Sequence, residues 1–95
     1  MTDVQILADL KVDLTLSGTA YDSRLTSIIA AAREAIAREG ATLHTQTSME
    51  DSQLVVMYAA WLWRRRDSGD AMPRMLRWAL NNRVLAEKMA VRSAE

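Results

Sequence analysis

Residues 54–63, LVVMYAAWLW, are apolar without interruption, and Arg64, Arg65 and Arg66 follow at once. A helix that is hydrophobic on every side must be covered on every side, yet the whole chain has 95 residues. A chain of this size makes one domain and buries roughly 60–65% of its unfolded surface, so its own core is modest and association would help it. The run is too short to cross a membrane, because ten residues rise about 15 Å as a helix, about half a bilayer core. The first ten residues, MTDVQILADL, lack a basic stretch ahead of an apolar one, so no signal peptide is expected. The expectation is a soluble, cytoplasmic, single domain over residues 1–95.

One proline, three glycines and many Ala, Leu, Met, Arg and Glu residues favour helix nearly throughout. Thr2 with Gln5 is a capping-box pattern, and Val4, Leu7, Leu10 and Leu14 give a short first helix one apolar side. TLSGTAYD interrupts it, with Gly18 as the stop. A second helix is predicted over residues 21–39, ending at Gly40, with Leu25, Ile28, Ile29, Ala32 and Ile36 as its inward stripe. Arg24, Ser27, Glu34 and Arg38 lie opposite, and Ala30, Ala31, Ala35 and Ala37 would admit close neighbours. The threonine-rich segment after Gly40 reads as a connecting loop. Ser48 then caps a third helix beginning near Met49, with Glu50 and Asp51 favourable at its positive end, and running to about residue 67. Gly69 stops that helix, and Pro73 opens a fourth that reaches about residue 91, with a flexible tail from about residue 90. The fold class is all-α, a compact bundle of about four helices in which the first is short.

The fourth helix carries about twice the apolar arc that a surface helix needs. At about 100° per residue, Leu76, Leu80 and Val84 share one side, while Trp78, Leu85 and Met89 lie nearly opposite. Met75, Ala79, Ala86 and Ala90 fill the arc between. Arg74, Arg77, Asn81 and Lys88 are the polar strip. Either the domain wraps this helix unusually completely, or one apolar side meets another chain. The third helix argues for the second alternative, since cover beyond helices two and four is needed for Val56, Ala60 and Trp63.

Sites for chemistry are scarce. His44 is the single histidine and sits in the loop, cysteine is absent, and no nucleophile elbow, HExxH, EF-hand or glycine-rich phosphate cradle occurs. No catalytic, metal-binding or cofactor-binding residues and no enzyme activity are expected. Twelve basic and twelve acidic residues cancel, which argues against a protein whose main task is gripping nucleic acid. Three roles stay open for Arg64, Arg65 and Arg66: a solvated complement to the helix dipole, pairing with acids such as Glu34, Glu39 or Asp67 of a neighbour, or a nucleic-acid contact shared with Arg74, Arg77 and Arg83. Successive side chains diverge by about 100°, so the three cannot face one phosphate groove together. Trp63 and Trp78 are the tryptophans favoured as interface anchors.

The order of these features resembles a family. LADLKVDLTLSGTAYDSRLTSIIAAAREAIAREG looks like the opening of the small head–tail connector (adaptor, or head-completion) proteins of tailed bacteriophages and prophages. The family's Asp-x-x-Leu-x-x-x-Ile/Leu helix with a central alanine is matched by Asp22, Leu25, Ile29, Ala32 and Ile36. Glu50 and Asp51, then Leu54, Tyr58, Trp61 and Leu62, an arginine-rich end, Gly69, Pro73 and LRWALNNRVLAEK with Asn82 and Arg83 resemble its second half. The likeness covers about residues 4–88 and rests on the sequence of features rather than on any single motif.

The resemblance implies a structural part of the virion neck, made in the host cytoplasm. Such proteins form a homo-oligomeric ring, commonly of about twelve subunits, that joins the portal protein to a tail-side stopper or head-closure protein. Double-stranded genomic DNA passes through the lumen without sequence-specific binding. Subunit or partner contacts are then expected at Trp63, Arg64, Arg65, Arg66, Trp78, Leu85 and Met89, and the C-terminal part would dock on the portal. Two other readings compete. A small DNA-binding regulator would use helices three and four as a helix-turn-helix, but base-reading helices need an exposed polar side. A small helical partner protein, of the toxin–antitoxin kind, would also account for the surplus apolar surface.

Overall fold

The computed structural model of the protein describes residues 1–69 and 71–94, the side chains of 67, 68 and 91–94 excepted. Four helices run through them: α1 (Asp3–Asp13), α2 (Asp22–Glu39), α3 (Met49–Ser68) and α4 (Arg74–Ala94). The fold is all-α. The tail expected to be flexible from about residue 90 falls mostly on side chains outside the described ones, while the α4 backbone continues to Ala94.

Local chemistry sets most helix ends. Both halves of the capping box form at α1: the Gln5 amide donates to Thr2 Oγ1 at 3.2 Å, and the Thr2 amide donates to Gln5 Oε1 at 2.8 Å. Ser48 Oγ accepts from the Asp51 amide at 3.2 Å and starts α3. Gly40 and Gly69 take the left-handed conformation that closes α2 and α3. Gly18 does not stop α1. The helix ends at Asp13, and the chain turns through Leu14 and a left-handed Thr15 (φ 55°), with Gly18 further along the loop. Lys11 holds that loop, bonding the Gly18 carbonyl and pairing with Asp22 at 2.9 Å.

The helix α3 is the centre. It packs against α1, α2 and α4, and Leu54, Val55, Tyr58, Ala59 and Ala60 are buried. Cover beyond helices two and four comes from within the chain: α1 packs on α3 with Ile6 and Leu10 fully buried, and Tyr21, in the loop before α2, meets Trp63. Of the expected stripe Val4, Leu7, Leu10 and Leu14, Leu10 is fully buried and Leu7 and Leu14 partly so, but Val4 is 77% exposed and Ile6 takes its place inside. Ile6, Leu7, Leu10 and Leu14 share an arc of about 100°, and Val4 lies well outside it. The arc with the larger side chains is the one turned inward. On α2 the stripe holds, with Leu25, Ile29, Ala32 and Ile36 buried and Ile28 partly so. Ala30, Ala31 and Ala37, expected to admit neighbours, are exposed and Ala35 is partly buried. The helical alanines that do lie inside are Ala32, Ala59 and Ala60.

The loop between α2 and α3 is tucked against the bundle, with Ala41 and Thr45 buried. Ser52 Oγ donates to the Thr45 carbonyl at 2.7 Å, and the Met1 amino group donates to the same carbonyl at 2.6 Å. The helix α4 leans on α3 through Leu76 and Leu80, with Ala79 and Val84 partly buried. It has 21 residues, about 31 Å of helix. Beyond Glu87 no described residue of it is buried.

Candidate interaction surface

Two faces of α4 have opposite fates. Leu76 and Leu80 enter the core, while Met75, Trp78, Leu85 and Met89 point away from it, Trp78 with 64% of its surface exposed. With Asn82 they fall at positions 75, 78, 82, 85 and 89. Steps of three and four are the spacing of a helix seam made to meet another helix. Arg74, Asn81 and Lys88, all exposed, run along one flank of this strip. Neither Arg74 nor Lys88 makes an ion pair among the described residues. Trp78 stands between two concavities. One of about 630 Å³ is lined by Met72, Arg74, Met75, Arg77, Trp78 and Asn81. The other, about 330 Å³, lies in the α3–α4 crevice and includes Glu50, Gln53, Met57 and Asn82.

A polar clasp holds α4 in this orientation. Asp51, 2% exposed, accepts from Arg83 Nε at 2.7 Å and from the His44 amide at 2.8 Å. Arg83 also donates to the Thr42 carbonyl at 2.6 Å, and Glu87 accepts from the Thr42 amide at 2.6 Å. Burial pushes the Asp51 carboxyl upward, but hydrogen bonds from Arg83 and His44 and the guanidinium charge outweigh it and hold it below its ordinary value. The same bond to Asp51 raises Arg83, against its desolvation. The Thr42 amide holds Glu87 low. Asp51 therefore does two things: its backbone amide completes the Ser48 cap, and its carboxylate anchors the fourth helix.

Each arginine of the run has a contact within the chain. Arg64 reaches the end of α1, at 3.2 Å from the Asp13 carbonyl and 3.5 Å from its carboxylate. Arg65 lies 4.9 Å over the Trp61 ring, and Arg66 3.7 Å over that of Trp63. Trp63 itself is half-buried and meets Tyr21 edge-on at 5.4 Å. Of the tryptophans expected at an interface, Trp63 is thus packed within its own chain and Trp78 is not. Two of the arginines named for a shared nucleic-acid contact are also engaged, Arg77 with Glu39 at 3.3 Å and Arg83 with Asp51. Glu34 pairs with Arg38 at 3.7 Å, and the side chain of Asp67 lies outside the described ones. His44 is exposed and contributes its backbone amide to Asp51.

Sequence reasoning brought Trp78, Leu85 and Met89 together correctly on one side of α4. It placed Met75 only in the arc between the faces, although the alternating steps from 75 to 89 identify it as part of the strip. It missed a second exposed apolar patch on α1, Val4 and Val12, at 77% and 76% exposure. Among the described residues no helix is long and apolar enough to cross a membrane. Comparison with protein-family models, with curated proteins and with solved structures gave no match.

Proposed function

We propose that this protein is a non-catalytic ring subunit of a tailed-phage neck, joining portal to the tail-side head-closure component around a channel for double-stranded DNA. The observation that carries the reading is the strip Met75, Trp78, Leu85 and Met89, an apolar surface that the domain leaves outside on the helix it holds in place with the Asp51–Arg83 pair. A ring subunit needs such surface beyond its own core, because it meets a neighbour on each side. The order of features from residue 4 to 88 supports the same reading, and so does a net charge of zero, which suits a conduit through which DNA must move. A base-reading role fits poorly, since the outer side of α4 is centred on large apolar side chains with Arg74, Asn81 and Lys88 confined to one flank, and Arg77 and Arg83 have acidic partners.

Negative-stain images of concentrated protein, alone and mixed with portal, test the proposal. Rings of about a dozen subunits are expected. A compact heterodimer with an unrelated small protein, or salt-dependent duplex binding by a monomer, would overturn it.

A further inference from the structure

The exposed apolar strip on α4 has a counterpart on the same chain. On α1, Val4, Ala8 and Val12 recur every four residues and line up along the outer side, within an arc of about 80°. All three are exposed, and Ala8 leaves a gap between two valines. Asp9 borders the patch and makes no ion pair among the described residues, whereas Lys11, the cation of this helix, is turned onto Asp22 and Gly18. The α1 patch is apolar with an acidic border. The α4 strip is apolar with a basic one, Arg74 and Lys88.

We infer that the α4 strip of one copy seats on the outer face of α1 of the next, with Trp78 over Ala8 and Arg74 beside Asp9, in a head-to-tail contact. Val4 to Val12 spans about 12 Å of α1 and the whole strip from Met75 to Met89 about 21 Å of α4, so the α1 patch covers the part from Met75 to Leu85, about 15 Å. With Trp78 over Ala8, Arg74 starts about 6 Å along α4, while Asp9 lies about 1.5 Å along α1 and about 100° around it, a separation that the long arginine side chain spans. Self-pairing of like faces is disfavoured, because antiparallel α4 helices would bring Arg74 and Lys88 together and paired α1 helices would bring Asp9 to Asp9. Arg74 gives a separate hint. It is the first residue of α4, where the helix dipole opposes a cation, and the first turn has no acidic residue. That placement is unfavourable for the isolated helix and favourable for meeting an acid. A contact between two different faces leaves each copy with one more of each, and so extends or closes into a ring. The inference rests on the proposed function only for that closure.

Sedimentation velocity over a concentration series, on wild type, Trp78→Glu, Ala8→Arg and their equimolar mixture, tests the pairing. Wild type should grow with concentration beyond a dimer. Each variant alone should bind its like roughly thirtyfold more weakly or worse, the scale of losing an interface anchor. Their mixture should stop at a one-to-one dimer, because one intact face of each kind remains. Arg74→Asp and Asp9→Arg should each weaken association by about fivefold at most, and the double exchange should recover it. All four positions are exposed, and unchanged helical circular dichroism checks the fold. Association of Ala8→Arg equal to wild type, a mixture that stays monomeric, or a monomeric wild type would each overturn the pairing. Rings still formed by Ala8→Arg, alone or on portal, would sink this contact and leave the ring reading standing. Absence of rings from wild type even on portal would sink the ring reading as well.

Discussion

The helices α2 and α4 are close in length and both bury a leucine- or isoleucine-based stripe, yet their outer sides differ. Outside α2 are Arg24, Ser27, Glu34 and Arg38 with the small Ala30, Ala31 and Ala37 among them, a surface with no large exposed apolar side chain, on which Glu34 and Arg38 pair. Outside α4 are Met75, Trp78, Leu85 and Met89. The core makes similar demands on both helices, so the inner stripe says nothing about function. The outer side carries the information, and on α4 its apolar residues recur at the spacing of a helix seam.

The comparison is broken most severely from inside. Ile36→Ala on α2 and Leu80→Ala on α4 each delete a fully buried side chain, and each should cost about 2–5 kcal/mol in chemical denaturation. A loss under about 1 kcal/mol at Leu80 would mean that α4 is barely docked. Asp51→Asn comes next, expected to cost about 2–3 kcal/mol because the charge-assisted bonds to Arg83 are weakened. The folded Asp51 carboxyl lies below its ordinary value of 3.8, so its stabilising contribution is complete above that value and is lost as pH falls below it through the folded value. Acid denaturation should therefore be less steep in Asp51→Asn, and an unchanged acid limb would refute the clasp. The smallest effect is expected at Arg66→Ala, about 0.5–1 kcal/mol from the Trp63 ring, visible in Trp fluorescence more than in stability.

Apart from the end of α1, which comes at Asp13 and not at Gly18, the helix ends were legible because their determinants are local. Thr2 with Gln5, Ser48 with Asp51, Gly40 and Gly69 each act within a few residues, and all four behave as their chemistry requires. The face of α1 was not legible in the same way. A short helix with Val4, Ile6, Leu7, Leu10 and Val12 offers two apolar arcs, and only packing on α3 decides between them. Asp51 and Arg83 lie 32 residues apart, and no local rule joins them. The surplus arc on α4 could be counted from the sequence, whereas Trp63 and Trp78 could not be told apart. Trp63 differs from Trp78 in meeting Tyr21 across the loop before α2 and Arg66 on its own helix.

The central claim is that the outer side of α4 is an interface and not part of the fold. Thermal melting and electron microscopy of Trp78→Glu beside wild type, with portal present in the imaging, test it most directly. The account predicts a melting temperature within a few degrees of wild type, as for other exposed substitutions, together with loss of rings. A large fall in helical content accompanying the loss of assembly would make Trp78 a core residue, and rings from Trp78→Glu as abundant as from wild type would remove the strip from the interface.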